Sequence, residues 1–293
     1  MSAPTRFLSV TADDFGLHHA VNEAVEQAAG AGVLTSASLM MGAPATWDAV
    51  KRAQSLKTLR VGLHLVLTDG WAVLSPRLIP DLVGLDGRFD NHMLRDGVRF
   101  AALPRVRRQL EAEIRAQFDA FAQSGLTLDH VNVHKHFHVH PVILDLILRI
   151  GGEFGMPAVR VPYEPLRFAR RQGGVAAVAS VAFLAPWTAM MKRRLQARGV
   201  GYNDQVFGIS RSGAMDVETL LAILRELPEG FTEIYLHPAT RSGAAIAPSM
   251  AGYQHQRELA ALMNPSVMAA LEASGAKCGG FRDLLPVRLA HAA

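Results

Sequence analysis

The sequence is nearly free of cysteine, since Cys278 is the single thiol in 293 residues. One cysteine cannot form a disulfide within the chain, so we expect the protein to fold in a reducing compartment. Residues 1–12 also lack the basic start and the apolar run of roughly 7–15 residues that are typical of a secretory signal peptide. Both absences predict a cytoplasmic protein.

Repeats and low-complexity tracts are also absent from the sequence. Its hydrophobic fraction of 49% and charged fraction of 19% are those of a globular protein with a large core. Its length is compatible with one α/β barrel. We therefore predict a single domain over residues 1–293.

Histidine, in contrast, is concentrated in one short segment, HVNVHKHFHVH. This segment holds five of the twelve histidines, at positions 130, 134, 136, 138 and 140. It begins with the alternation of a β-strand, and on a strand that stays extended His130, His134, His136 and His138 would share one face. Imidazole is the commonest metal ligand and an acid–base group near neutral pH. The segment therefore indicates a metal site.

Two apolar strands elsewhere in the sequence carry polar residues. Asp13 and Asp14 end a short apolar strand, and His64 lies in the middle of the segment RVGLHLVL. Adjacent carboxylates at a strand end point in different directions, so one can bind a metal while the other accepts a proton. Carboxylate and imidazole ligands from separate strands suit Zn²⁺ with room left for water, and Mg²⁺ with retained waters is the alternative. With the histidine segment, these residues point to a metal-dependent hydrolase.

Strand-like and helix-like segments alternate along the chain, which is typical of an α/β protein with a parallel sheet or barrel. The predicted strands are 5–12, 33–40, 59–67, 126–134, 157–161, 203–209 and 231–237. The predicted helices are 17–30, 103–124, 140–153, 215–227 and 253–274, the last interrupted near 264–265. In such folds functional residues gather at the carboxyl ends of the strands. The residues at or near predicted strand ends are Asp13, Asp14, His134, Arg160 and His237.

Residues 167–198 differ from the rest of the chain in charge and hydropathy. They include seven basic residues and no acidic one, and the central stretch 175–191 is seventeen residues without a charge. Seventeen residues are at the lower limit for a membrane span, and Pro186 interrupts the stretch, so a span is disfavoured. The alternatives are an ordinary buried helix or a helix at a membrane interface, on the inner face of the cytoplasmic membrane. A single basic block without an aromatic-rich surface argues against nucleic acid as a partner.

Taken together, these motifs resemble those of the YdjC/ChbG-like carbohydrate deacetylases. The resemblance covers roughly residues 5–165 and 200–285. It rests on TADDFGLHHAVNEAVEQAAGAGVLTSASLMMGAP, VGLHLVLT, HVNVHKHFHVHP, VRVPYE and EIYLHPA. The fold that it implies is a distorted, TIM-like (β/α) barrel with parallel strands, here with an inserted apolar helical segment around 167–198. Within the family, the chain is most similar to members associated with hopanoid lipid biosynthesis.

The resemblance also implies roles for individual residues. The implied ligands of a divalent metal are Asp14, His64 and His134. The implied catalytic residues are the general base Asp13, the general acid His237, and Arg160, which would orient Asp13 or the substrate. Further contacts around the site are expected from His136, His138, Glu164 and Tyr163. The chain departs from the family where Ala239 replaces a common glycine and where His18-His19 replace smaller residues. These departures affect the expected shape of the acetyl pocket and leave the expected metal chemistry unchanged.

Each of these residues also has a simpler interpretation. Asp13 or Asp14 could cap the following helix, His64 could be a core histidine, and His237 could merely end a strand. Arg160 could form a surface ion pair, and His138 competes with His134 for the place of a ligand.

The function that we expect is removal of the acetyl group from an N-acetylated amino sugar, namely N-acetylglucosamine carried on a hopanoid lipid. The apolar stretch would act as a lid or a membrane contact, with lipid contacts from Phe183, Leu184 and Trp187. Deacetylation of soluble chito-oligosaccharides is the alternative within the enzymes. Two histidines and a carboxylate also hold Fe(II) in oxygenases, but these need no neighbouring acid–base pair. A non-enzymatic metal-binding or membrane-recruited protein is the remaining alternative, and the sequence does not determine the oligomeric state.

Overall fold

The computed structural model describes residues 5–243 and 246–285. Seven strands form one sheet in which all strand pairings are parallel. In chain order they are β1 (Arg6–Phe15), β2 (Ser36–Leu39), β3 (Arg60–Leu65), β4 (Leu128–Val133), β5 (Gln205–Phe207), β6 (Gly230–Leu236) and β7 (Lys277–Cys278). Their order in the sheet is β4-β3-β2-β1-β6-β5, and β7 pairs with β1.

A short segment bridges the two edges of this sheet and curls it into a barrel. Val159 pairs with Val131 of β4, and Ala158 pairs with Gly201, shortly before β5. The predicted strand at 157–161 therefore exists as isolated bridges. The predicted α/β class and distorted barrel are confirmed.

Ten α-helices surround the sheet in the described part of the chain. They are α1 (His19–Ala31), α2 (Thr46–Ser55), α3 (Met93–Ala102), α4 (Pro104–Gln123), α5 (Pro141–Glu153), α6 (Leu166–Gln172), α7 (Gly174–Ala197), α8 (Val217–Arg225), α9 (His255–Leu262) and α10 (Pro265–Ala273). The predicted helix at 253–274 is two helices, because the Asn264 side chain caps α10 and Pro265 follows it. We did not predict α2, α3 or β7, which are short elements that depend on tertiary packing.

The helix α4 illustrates how the sequence determines its position. Pro104 occupies the first turn, where its missing N–H costs nothing. The predicted apolar stripe is buried, at Val106, Leu110, Ile114, Phe118 and Phe121. This helix packs against β3 and α5, so the stripe covers one side of the barrel.

The two faces of the sheet carry different chemistry. The outer face is apolar and packs against the helices, as at Leu8, Val10 and Ala12 of β1. The inner face is polar, and the hydroxyl of Thr11 donates to the Glu233 carboxylate across it. Strands of parallel barrels are commonly buried on both faces, so this interior is a polar core rather than a solvent-exposed surface.

The helix α7 stands partly outside this packed body. It begins at Gly174, contains Pro186, and buries one row of residues, Val181, Thr188, Met191 and Leu195. It is long and apolar enough to cross a membrane by length and composition, and 22% of its most apolar window is buried. The helix is therefore largely exposed, which contradicts the interpretation of an ordinary buried helix.

Candidate active site

The polar residues singled out in the sequence converge at the carboxyl edge of the barrel. Ala12 of β1 pairs with Leu236 of β6, so Asp13 and His237 follow at the same level. Leu65 of β3 pairs with Val133 of β4, which brings His64 close to His134. The register of the parallel strands thus assembles a site from four separate segments.

The backbone is left-handed at two residues around the end of β1. Asp14 has a φ of 62° and Gly16 a φ of 95°. The Asn22 side chain accepts from the Gly16 amide, while the His18 side chain caps α1 by accepting from the Ala20 amide. Neither aspartate caps this helix, so the capping interpretation is wrong. Left-handed geometry in a non-glycine residue costs about 1–3 kcal/mol and is common at functional sites.

Asp14, His64 and His134 form a buried group that could hold a metal ion. The Asp14 Oδ1 atom lies 3.3 Å from His64 Nε2 and 3.1 Å from His134 Nδ1, and these two nitrogens are 3.4 Å apart. Ligands at about 2.0–2.1 Å from a tetrahedral zinc lie about 3.3–3.4 Å from one another, so the three atoms fit one ion. Both Asp14 oxygens are buried without a conventional hydrogen bond, as expected of a carboxylate that binds a cation.

The orientation of His64 is set by Asn132. The His64 Nδ1 atom is 2.6 Å from Asn132 Oδ1, and the Asn132 amide donates to Asp13 Oδ1 and Ser38 Oγ. Because both N–H groups of the Asn132 amide donate to these partners, the Asn132 oxygen must accept from His64 Nδ1–H. The His64 Nε2 atom then carries a free lone pair. Our sequence reasoning missed Asn132, although it precedes His134 by two positions and shares its face in the strand.

The electrostatics of the group favour a cation. Burial alone would raise the pKa of Asp14, but the neighbouring His134 and His64 hold it well below its ordinary value. Burial lowers the pKa of His64, yet the charges of Asp13 and Asp14 outweigh this and raise it above its ordinary value. The site therefore contains ionised carboxylates that attract positive charge.

Asp13 belongs to a second buried group, in which Arg160 joins two carboxylates. The Arg160 guanidinium donates to both oxygens of Asp13, at 2.5 and 3.0 Å, and to both oxygens of Glu233, at 2.8 and 2.7 Å. Burial alone would raise the pKa of Asp13, but the Arg160 charge lowers it far below its ordinary value, so Asp13 is ionised. Arg160 is fully buried, so the interpretation as a surface ion pair is wrong.

His237 lies opposite, with its Nε2 atom 4.0 Å from Asp14 Oδ2. Helix α9 holds its backbone, since Glu258 accepts from the His237 amide and His255 donates to the His237 carbonyl. Burial lowers the pKa of His237 to about 4, so the ring is neutral near pH 7. Burial likewise raises the pKa of Glu258 to about 7.

The histidine segment does not stay extended, which corrects the expectation of one shared face. The strand ends at Val133, and Lys135 and His136 both have left-handed backbone, with φ of 54° and 55°. His130 lies deeper in the barrel, between Asp129 and Ser38. His138 directs its Nε2 atom to the Arg160 carbonyl and does not belong to the candidate ligand group.

The cavity above these groups, the active-site pocket, has a volume of about 180 Å³. Asp13, His64, His134 and His237 line one side of it. The other walls include His136, whose Nε2 atom is 3.1 Å from the Tyr235 hydroxyl, and the loop residues Ile209, Ser212, Met250 and Tyr253. A volume of this size suits one small ring or an acetamido group rather than a long chain.

The remaining predicted residues lie outside this pocket. Glu164 accepts from the amides of residues 208–210 and so positions the loop that contributes Ile209. Tyr163 lies under the Lys192 ammonium, 4.6 Å from its ring centre. The predicted lipid contacts Phe183, Leu184 and Trp187 line a separate apolar groove beside the pocket.

Comparison with known proteins identifies relatives of this chain. The family model described as YdjC-like protein matches residues 7–273. A carbohydrate deacetylase of Geobacillus stearothermophilus is 29% identical over 280 residues, which are 95% of this chain and 98% of that protein. A carbohydrate deacetylase of Brevibacillus brevis is 39% identical over 159 residues, which are 53% of this chain and 59% of that protein, so this match spans little more than half of either.

A solved structure shares the fold. The proposed cellobiose-phosphate cleavage protein of Enterococcus faecalis V583 superimposes with a TM-score of 0.73 and 24% sequence identity, over 95% of this chain and 98% of that chain. This likeness concerns the fold, and the family model covers most of the sequence. The chain belongs to the YdjC-like protein family.

Proposed function

We propose that the protein is a metal-dependent carbohydrate N-deacetylase, which hydrolyses the acetamido group of an amino sugar to acetate and a free amine. The observation that carries the proposal is the buried ligand group Asp14, His64 and His134 beside an ionised Asp13, with His237 opposite. The relatives named carbohydrate deacetylase, one of them matched over nearly its full length, support the substrate class.

The residues divide the work of amide hydrolysis. The chemistry that a divalent metal supplies in such a site is a lowered pKa of water and a polarised carbonyl. Zn²⁺ suits the ligands best, and Mg²⁺ is the alternative. Asp13 is held as an anion by Arg160 and Asn132. It also lines the pocket, where it would accept the proton of the attacking water.

His237 delivers a proton to the departing amine. Because its ring is neutral near pH 7, it must gain a proton during the reaction before it can donate one. The balance is that Asp13 takes one proton from the water as the C–O bond forms, and this proton passes to His237 and then to the nitrogen as the C–N bond breaks. General acid–base help of this kind contributes roughly 10²–10⁴-fold to the rate.

The finer substrate is an N-acetylglucosaminyl hopanoid, as in HpnK, the member of the family associated with hopanoid biosynthesis. Its support is the sequence resemblance together with α7, a largely exposed apolar helix between two basic clusters. Such a helix suits peripheral attachment to an anionic membrane, from which a lipid substrate could be drawn. The cytoplasmic face of the membrane is the proposed location.

Acetate release by metal-loaded protein tests the proposal, with N-acetylglucosaminyl hopanoid in detergent and N,N′-diacetylchitobiose as substrates. We expect release from the lipid, loss of release on chelation, and recovery when zinc is added back. Asp13→Asn should lower the rate by roughly 10²–10⁴-fold and retain the metal. Release from chitobiose alone would assign the enzyme to soluble oligosaccharides. Bound metal without release from either substrate would favour a non-enzymatic metal-binding protein.

A further inference from the structure

A second cavity lies beside the active-site pocket and is larger and apolar. This cavity, the apolar groove, has a volume of about 510 Å³ and lies between α3, α7 and the turn at residues 135–141. Four of the large apolar side chains that the structure leaves exposed line it, namely Leu94, Val98, Phe183 and Trp187. Soluble proteins rarely leave so many large apolar side chains exposed around one cavity without a binding role.

The groove lies directly next to the active-site pocket. Lys135 and His136 line both cavities and form the wall between them. Both residues have left-handed backbone, and contacts of their side chains stabilise this turn. The Lys135 ammonium lies 2.6 Å from Asp69, and His136 contacts Tyr235. A ligand that occupies both cavities must therefore cross this turn.

The chemistry of the groove determines what it can hold. Lys135, His136 and His140 are its polar lining residues, and the Lys135 charge is already paired with Asp69. A second sugar would leave its hydroxyl groups without partners, which is costly in a desolvated site. An apolar group would instead bury its surface against Val98, Phe183 and Trp187.

We propose that the apolar groove binds the apolar aglycone of the substrate molecule whose N-acetyl sugar occupies the active-site pocket. This inference rests on the proposed deacetylase activity and adds the site that selects the substrate. It requires a glycoside whose apolar portion begins at the sugar, so that one molecule crosses the Lys135–His136 wall. A membrane surface and a second copy of the chain are the competing occupants.

The test compares two substrates that share one sugar, methyl and octyl N-acetyl-β-D-glucosaminide. We expect kcat/KM for the octyl glycoside to exceed that for the methyl glycoside by at least about tenfold, because several methylene groups are buried. Val98→Glu and Phe183→Glu should bring this ratio close to one. Leu85→Glu is the matched control, since Leu85 is fully exposed away from the groove, and it should keep the ratio.

Binding provides a readout that does not need turnover. In Asp13→Asn, titration with octyl glycoside should change the fluorescence of Trp187, and the change should vanish when Trp187→Phe is added. A ratio near one in the wild type, with no fluorescence change, would overturn the groove proposal while leaving deacetylation intact. Fluorescence change without acetate from either glycoside would overturn the proposed function and keep the groove. Vesicle binding or dimer formation that is lost in Val98→Glu, without any preference for octyl glycoside, would give the groove to the membrane or to a second copy.

Discussion

The active-site pocket and the apolar groove share a wall but are built on different principles. The pocket is formed by strand ends, and its charged groups are buried and paired, as in the contact of Arg160 with Asp13 and Glu233. The groove is formed by α3, α7 and the turn at residues 135–141, and its apolar lining includes the exposed side chains Leu94, Val98, Phe183 and Trp187. Under the proposed function, the pocket carries out the reaction and the groove selects the substrate.

The difference also predicts opposite responses to substitution. Removing one member of a buried charged group leaves the others unpaired and costs several kcal/mol. Exposed substitutions away from such groups usually change stability by about 0.5 kcal/mol or less. Variants of the pocket should therefore affect folding and chemistry together, and variants of the groove should affect ligand choice.

Arg160→Met should have the largest effect on folding. It leaves Asp13 and Glu233 as buried, unpaired carboxylates, so we expect the free energy of unfolding to fall by about 3–5 kcal/mol. Urea denaturation measures this loss. Arg171→Met removes an exposed ion pair with Glu226 and should leave the urea midpoint unchanged. Equal losses in both variants would contradict the distinction between buried and exposed pairs.

Glu258→Gln should change the pH dependence of stability. The Glu258 carboxyl has a pKa of about 7 in the folded protein, raised by burial from an ordinary value of 4.5. Between these pH values the folded state holds a proton that the unfolded state has lost, so stability falls as pH rises from 4.5 to 7 and is level above. The difference between wild type and variant should change by about 3 kcal/mol over this range.

Unfolding in urea at a series of pH values tests this prediction. Glu272→Gln, on the exposed side of α10, is the matched control and should follow the wild type at every pH. A Glu258→Gln curve parallel to that of the wild type would show that Glu258 titrates normally.

Asn132→Ala should weaken metal binding without removing a ligand. The variant frees His64 to rotate and to change its tautomer, and loss of such a supporting contact costs roughly 10–100-fold in metal affinity. Competition with a chelator for zinc measures the affinity. Asn91→Ala, which removes an exposed contact with Lys135, serves as control and should bind zinc like the wild type. Unchanged affinity in Asn132→Ala would mean that packing alone orients His64.

The smallest expected effect concerns the basic residues that flank the apolar stretch of α7, which are Arg170 in α6 and Arg193 in α7. Arg170→Gln and Arg193→Gln should each weaken binding to phosphatidylglycerol vesicles by about fivefold at low salt, because each basic residue near an anionic surface contributes about 1 kcal/mol. Co-sedimentation at increasing salt measures the loss. Arg108→Gln on α4 is an exposed control on another face of the protein. Salt-independent sedimentation would separate the groove from any membrane role.

The sequence was sufficient to predict the barrel and the ligand group. Alternation of strands and helices required a parallel sheet, and the carboxyl edge of such a sheet collects residues that follow strands, such as Asp14 and His134. The resemblance to the deacetylase family placed His64 with Asp14 and His134, since the residues alone left His138 as a competing ligand. The fold prediction depends on local patterns, which the sequence contains, and the ligand assignment depends on the family resemblance.

The features that were not predicted depend on tertiary contacts. The turn at Lys135 and His136 requires left-handed backbone in two non-glycine residues, and it is stabilised by Asp69 and Tyr235, which are distant in sequence. The role of Asn132 follows from partners on three other strands. The exposure of α7 could not be predicted, because an apolar sequence does not determine whether the rest of the protein covers it.

The polar interior of the barrel also has an electrical consequence. Asp13, Asp14 and Glu233 contribute three negative charges, and Arg160 returns one positive charge. The resulting net charge of −2 is the charge that one divalent cation would neutralise. The same negative charge raises the pKa of His64 above its ordinary value. An ion that binds the folded chain alone adds to its stability by mass action. The supply of metal in the cell is therefore expected to govern how much of this protein survives, as well as how fast it works.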